Sequence, residues 1–366
     1  MKIVFLIQDI TTEGGTERTT CCIAEELHRR GHEVSVVSVF HNEPEPHYTA
    51  TDVPFIYLSH SIYTARKSPV WRLGQVARRI RDARRCRPLQ EADVIICQKI
   101  LASTLAYLSG FRRKSIAAEH FTYDMYTPAV RQIRRMLYAR MRAVVTLTEK
   151  DRALYRKENL EHVYCIPNMI SVTPLPYQGA GSRRILSVGR LMPQKGYDLL
   201  LEAVHGIADR MGDYYVEIYG EGEERGRLET QCLQMGLTGK VRFCGYTDSI
   251  EQIYATSAFY VMSSRFEGFP MVLLEAAACG LPVVSFDCPE GPAVILKDGG
   301  GILVERENTR ALGEALLTMI QSPERQEQYR GQLAQVIRPY SPANIGEQWE
   351  QVLQSIWKEN KQTHER

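Results

Sequence analysis

Arg265-Phe-Glu-Gly-Phe-Pro-Met-Val-Leu-Leu-Glu-Ala-Ala-Ala-Cys-Gly-Leu-Pro282 is the stretch on which the fold turns. Apolar runs flank it, Ala258-Phe-Tyr-Val-Met262 before and Val283-Val-Ser-Phe286 after, each with the length and composition of a buried parallel strand. The whole predicts a strand, loop, helix, turn and strand in succession. Pro270 suits the first helical position, where a missing N–H costs nothing, and Gly280 with Pro282 ends the helix. Gly268 lets the backbone approach a ligand, and the free N–H groups of the helix start favour an anion such as a phosphate.

Glu267 in the loop and Glu275 in the second helical turn converge on one mouth without stacking on one helix face. Taken alone, Glu267 reads as a helix cap and Glu275 as a solvated residue. The full motif is more specific. Glu267, seven intervening residues and Glu275, set in Glu-Gly-Phe269-Pro270 and followed by Cys279-Gly-Leu-Pro-Val283, resemble the signature of retaining glycosyltransferases of the GT-B fold, family GT4.

At 366 residues, with 44% hydrophobic and 24% charged side chains, the chain is long enough for two ordinary globular domains. The N-terminal apolar run over residues 3–7 is too short for a signal peptide, and nothing approaches a membrane span. Nine scattered cysteines without a Cys-x-x-Cys pair fit a reducing cytosol and argue against structural zinc. Charge is unevenly shared: residues 1–175 hold 26 Lys/Arg against 18 Asp/Glu, residues 176–366 hold 19 against 25. A basic half of this kind suits an anionic surface.

Lys2-Ile-Val-Phe-Leu-Ile7 predicts a first parallel strand and residues 16–30 a helix facing inward through Ile23, Ala24 and Leu27. Gly14 and Gly15 between them free backbone amides for a ligand, with Thr16 as the expected cap. This is not the dinucleotide Gly-x-Gly-x-x-Gly pattern, which counts against a nicotinamide enzyme. Gly14-Gly-Thr-Glu-Arg18 is similar to the Gly-Gly-Ala-Glu-Arg start of GT4 enzymes, which assigns Gly14 and Gly15 to the donor phosphate or the acceptor side. Further β-branched or apolar runs at residues 33–40, 93–97, 114–118, 143–146 and 164–166 alternate with helical stretches, so the half is a doubly wound parallel sheet with ligands at its carboxyl strand ends.

Residues 71–85 carry Leu73, Val76, Ala77, Ile80 and Ala83 at helical spacing, with arginines at 72, 78, 79, 81, 84 and 85 elsewhere. Such a helix suits anionic lipid headgroups. A solvated arginine-rich face explains it equally well, and a nucleic-acid role lacks an aromatic platform or recognised module. His120 follows the strand at 114–118, and residues 121–128 form an aromatic loop expected to be mobile. GT4 enzymes often have a His after this strand; the resemblance makes His120 the first half's site residue, with its imidazole on a sugar hydroxyl.

The second half opens with Arg184-Ile-Leu-Ser-Val188, then Gly189-Arg190-Leu-Met-Pro-Gln-Lys195-Gly196 and a helix containing Leu200, Leu201, Val204, Ile207 and Ala208. Two cations at a helix entry read either as surface charges flanking a turn or as a diphosphate clamp, with Arg190 two-pronged and Lys195 as a point charge. The segment resembles the Gly-Arg-Leu-x-x-x-Lys-Gly element of GT4. The same resemblance puts Gly220 and Gly222 near the donor and the base near Gly245 and Tyr246, and Asp287-Cys-Pro289-Glu290-Gly291-Pro292 resembles hexosyl and N-acetylhexosaminyl transferases of surface-polysaccharide assembly.

Together these imply an α/β protein of the GT-B fold, two Rossmann-like doubly wound domains facing a central cleft. The expected parts are an acceptor domain at 1–175, a nucleotide-sugar domain at 176–340 and a helix at 341–366 packing back on the first. The implied activity is retaining transfer of a hexose or N-acetylhexosamine from a nucleotide sugar, a UDP-sugar, to a glycan or lipid-linked acceptor. His120, Arg190, Lys195 and Glu267 are the expected catalytic residues. The donor falls to Gly14, Gly15, Gly189, Gly220, Gly245, Tyr246, Gly268, Phe269, Pro270 and Glu275, with no Asp-x-Asp motif placed for a metal, no cofactor and no nucleic acid. The expected location is the cytoplasm, free or peripheral on the inner membrane face. A sugar phosphorylase of the same fold, or a non-catalytic nucleotide-sugar-binding partner, are the competing readings.

Overall fold

The computed structural model describes residues 1–59, 69–288 and 291–364. Seven parallel strands form the first sheet: β1 (Lys2–Asp9), β2 (Glu33–Phe40), β3 (Phe55–Tyr57), β4 (Val94–Gln98), β5 (Ser115–Ala118), β6 (Ala143–Thr146) and β7 (Val163–Cys165), in the order β3-β2-β1-β4-β5-β6-β7. Six form the second: β8 (Arg184–Val188), β9 (Tyr215–Tyr219), β10 (Val241–Gly245), β11 (Phe259–Met262), β12 (Val283–Asp287) and β13 (Gly301–Glu305), in the order β10-β9-β8-β11-β12-β13. Both are doubly wound and Rossmann-like, and each reverses direction beside its first strand, between β1 and β4 and between β8 and β11. Ligand crevices open at such switch points.

Period-two alternation explains why these runs are apolar throughout. Ile3, Phe5 and Ile7 of β1 enter a core shared with the helices Gly15–Arg29 and Pro342–His364, while Val4 and Leu6 enter one on the opposite face. The last helix contributes Ile345, Trp349, Val352, Leu353 and Ile356 to the first of these cores, none more than 6% exposed. The edge strands β3 and β13 are absent from the sequence expectation: one has three residues, and the other follows the Gly299-Gly300 turn.

Contacts divide the chain into Met1–Met169 with Tyr340–Arg366, and Ile170–Pro339. The first crossing precedes the expected 175/176 boundary because Ser171 already bonds Glu275 through its hydroxyl, and Val172 is buried. Other local expectations are corrected. Pro270 caps the helix Met271–Ala278 from outside, its carbonyl accepting from Leu273 and Leu274. Gly14, not Thr16, takes the cap position of the helix Gly15–Arg29, with no side-chain bond. The helix after Lys195 stops at His205, leaving Ile207 outside it and Ala208 at the start of a short 3-10 turn.

In the helix Pro69–Arg85, Ala83 is buried as expected, but Arg79 is buried too, donating to the Val39 carbonyl at 3.2 Å with its guanidinium 4.4 Å from the Phe40 ring centre. Val76 points outward at 48% exposure. The side chains of Arg72 and Leu73, and all of Pro289 and Glu290, lie outside the described residues. No helix of the described residues is long and apolar enough to cross a membrane.

Candidate active site

The β8/β11 switch point gathers the second unit's charged residues. After β8 the chain runs through Gly189 and Arg190 to the turn Pro193–Lys195; after β11 it runs through Ser263 and Ser264 to Glu267. These loops are laced together. Ser263 Oγ donates to the Lys195 carbonyl at 3.0 Å, Gln194 Nε2 to the Phe266 carbonyl at 2.9 Å, and the Arg265 amide to the Gln194 carbonyl at 2.8 Å. Arg265 then forks onto Asp198 at 2.7 and 2.9 Å. Burial pushes the Asp198 carboxyl up, but those two bonds and the guanidinium charge outweigh it and hold it below its ordinary value. Sequence reasoning left this fork unread, because its partners stand 67 positions apart.

Within the laced loops, Lys195 Nζ lies 2.8 Å from Glu267 Oε1, which also accepts from Ser264 Oγ at 2.6 Å. Glu267 is therefore neither a helix cap nor solvated; it is 6% exposed. Glu275 is 2% exposed and accepts from Ser171 Oγ at 2.6 Å and Tyr254 OH at 3.4 Å. Lysine has three N–H donors, so one spent on Glu267 leaves two. Arg190 is exposed, and no bond of its side chain is found among the described residues.

Glycines let the strand ends crowd. Gly189 (φ 155°) passes under Lys195, whose Cε would lie 3.1 Å from an added Cβ, and Gly220 (φ 138°) would drive a Cβ to 2.1 Å from the Gly189 carbonyl oxygen. The Gly220 amide donates to the Gly245 carbonyl at 2.8 Å. Beside them Tyr246 is 63% exposed, Phe269 is buried, and Gly268 is half-buried before Pro270.

In the first unit, Gly14 lies under the Glu17 carboxylate, which would sit 2.3 Å from a Cβ there, whereas a Cβ on Gly15 would meet nothing. His120 lies two residues past β5, and its Nε2 hydrogen bonds to Gln98 Oε1 at the end of β4. Burial, then the nearby Lys99 ammonium, lower His120 to about 3, so the ring is neutral at pH 7; with Nε2–H donating to Gln98, Nδ1 is the acceptor. Lys99 itself has φ 67° directly after β4, a conformation non-glycine residues seldom adopt.

The aromatic loop is tied down. The Tyr123 amide donates to Asp151 at 2.9 Å, Tyr123 OH to Glu158 at 2.6 Å and Tyr126 OH to Glu119 at 3.2 Å. Burial raises the Glu119 carboxyl against the pull of Tyr138, which donates to it, and of Arg134. Arg134 is fully buried with its guanidinium 4.6, 5.1 and 4.5 Å from the Tyr123, Tyr126 and Tyr155 ring centres. Among the described residues, no group of three or more His, Cys, Asp or Glu is gathered to hold a metal.

Comparison with known proteins agrees with this layout. Residues 13–173 match the model of Glycosyltransferase Family 4, and residues 179–334 that of Glycosyl transferases group 1. An uncharacterized glycosyltransferase of Haemophilus influenzae is 28% identical, covering 96% of this chain and 99% of its own. The amylovoran biosynthesis glycosyltransferase AmsD of Erwinia amylovora is 27% identical, covering 96% and 99%. The crystal structure of Anabaena HepE in complex with UDP and glucose superposes with a TM-score of 0.77 at 19% identity, covering 97% and 100%, which shows a common fold. Two doubly wound units, the two family matches that fall on them and the Glu267 and Lys195 motifs at a switch point lead to one conclusion: this chain is a glycosyltransferase enzyme of the GT4 type with the GT-B fold.

Proposed function

We propose that the enzyme transfers a hexose or N-acetylhexosamine from a UDP-sugar to a glycan or lipid-linked acceptor with retention of anomeric configuration. The carrying observation is the Lys195, Glu267 and Ser264 constellation at the β8/β11 switch point, a nearly buried cation with N–H donors to spare beside a buried carboxylate. Cleaving the sugar–phosphate bond places negative charge on the departing diphosphate and positive character on the sugar. Lys195, Arg190 and the positive end of the helix Met271–Ala278, reached past Gly268, Phe269 and Pro270, take the first; the Met271, Leu273 and Leu274 amides already donate to the Phe269 and Pro270 carbonyls, which leaves the Val272 amide to donate. Glu267 holds the donor sugar's hydroxyls and Glu275 those of the ribose. Gly189 and Gly220, whose lack of side chains packs the strand ends together under Lys195, border the diphosphate with backbone, and Gly245 with Tyr246 border the base.

In the first unit, neutral His120 accepts a sugar hydroxyl hydrogen at Nδ1, and Gly14 and Gly15 offer amides to the donor phosphate or the acceptor. The acceptor oxygen bonds to the sugar carbon, the diphosphate leaves as UDP, and the acceptor hydroxyl proton leaves with a phosphate oxygen. No metal or cofactor is assigned a step. A polysaccharide role accords with the name of the Erwinia relative, and UDP with the ligand in the Anabaena structure. A lipid-linked acceptor would bring the enzyme to the inner membrane face. A thermal-shift panel of UDP-, GDP- and ADP-sugars, followed by NMR of the product's anomeric configuration, tests the reading: stabilisation by UDP-sugars alone and a retained configuration are expected, and a preference for GDP- or ADP-sugars or an inverted product overturns it.

A further inference from the structure

Three helices, Pro69–Arg85, Lys99–Leu108 and Pro128–Tyr138, lie side by side on one face of the first sheet, sharing a core through Ala83, Ala102, Leu105 and Leu137. Their outer surface is unusual in two respects. Val76, Leu101, Leu108, Ile133 and Met136 stand out from it, at 37% to 55% exposure. The three helices also hold ten Lys/Arg against a single acidic residue, Asp82. Arg79 and Arg134 turn inward, but Arg78, Arg81, Arg84, Arg85 and Arg135 remain exposed, and Arg81, Arg84 and Arg85 line a groove with Ala77, Ile80 and Leu108. The two helices on the sheet's other face have the opposite balance, six Glu against four Lys/Arg.

We propose that this three-helix face docks on an anionic phospholipid surface. Guanidiniums among protruding aliphatic side chains are the composition of an interfacial layer: the charges meet headgroups, the long stems lie along the boundary, and the apolar side chains enter the acyl region. A soluble nucleic acid would be better served by aromatic platforms, and among the described residues the large hydrophobic side chains exposed on these helices are aliphatic or Met. The two helices of the opposite face hold no such excess of cations, which sets the orientation.

Flotation of the full chain with vesicles tests this without donor or acceptor, so its outcome is separate from the transfer reading. Recovery with phosphatidylglycerol-containing vesicles, none with phosphatidylcholine alone, and release by high salt are expected. Each neutralised arginine is worth about fivefold in partition, so Arg78→Gln, Arg81→Gln and Arg85→Gln together should weaken it roughly a hundredfold. Ile133→Ser with Met136→Ser should weaken it roughly tenfold while leaving retention on soluble polyphosphate unchanged. All five positions are exposed, so unchanged unfolding midpoints certify the fold. Equal recovery with both vesicle types, or an unaltered arginine variant, overturns the proposal. So does a serine variant that binds vesicles as the parent does, which would make the face a site for soluble polyanions.

Discussion

Replacing Lys195 by Met, or Glu267 by Gln, breaks the same 2.8 Å ion pair from opposite ends. The lysine side chain is 17% exposed and the glutamate 8%, so the survivor is largely shielded from water in either case. Removing one member of a fully buried pair costs about 3–5 kcal/mol. In Glu267→Gln, the residual exposure of Lys195 and the bond Ser264 still offers to the amide bring the expected loss to about 1–3 kcal/mol. Lys195→Met leaves a charged carboxylate with one hydroxyl partner, so its loss sits near 3 kcal/mol. Denaturant titration measures both.

Ligand binding separates the two variants further. An ammonium bonded to diphosphate contributes about 1.5–3 kcal/mol, so Lys195→Met should weaken UDP binding roughly 10- to 150-fold by calorimetry. Glu267→Gln keeps the ammonium and should hold UDP as tightly as the parent, while turnover of the intact donor falls by about two to three powers of ten. Equal loss of UDP affinity in both variants would refute the division of labour, because it would mean that Glu267 acts only by presenting the lysine.

Glu275→Gln should chiefly weaken UDP binding, and Ser171→Ala, which removes the 2.6 Å bond that orients the carboxylate, should weaken it less; calorimetry ranks them. Arg190→Ala should lower turnover by about two powers of ten without moving the melting temperature, since the side chain is exposed. Gly220→Ala should cost about 2 kcal/mol or more in denaturant titrations, whereas Gly226→Ala, a helical site with nothing within 4 Å of the new Cβ, should be neutral or slightly stabilising. His120 is held down to about 3, below its unfolded value, so the stability it contributes is present above roughly pH 6.5 and is lost as pH falls towards 3. Its share of the loss between pH 7 and 5 should be about 2 kcal/mol, absent in His120→Gln, by chemical denaturation at the two pH values.

Most of the strands were legible because their burial on two faces leaves a continuous apolar run, and the Glu267 and Lys195 motifs because close sequence spacing mirrors one loop each. What sequence hid was reach. Arg79 and Arg134 look like surface charges, yet aromatic faces and a backbone carbonyl accept them inside, Arg134 through Tyr155, 21 positions on. The bond from Ser171 to Glu275 spans 104 positions, and the left-handed turn at Lys99 leaves no mark in residue type. Pro270 misled by one position because its fixed φ suits the residue before a helix as well as the first one in it.

The return of Tyr340–Arg366 to the first unit has a bearing on biosynthesis. A ribosome releases residues 1–169 long before Trp349, Leu353 and Ile356, which complete one of their two cores. Each such side chain contributes about 1.5–3 kcal/mol on burial, so the nascent first unit waits with a bare apolar flank while the intervening Ile170–Pro339 can close on its own contacts. The segment made second therefore has its whole core in hand before the segment made first, whose core stays incomplete until the closing helix emerges from the exit tunnel.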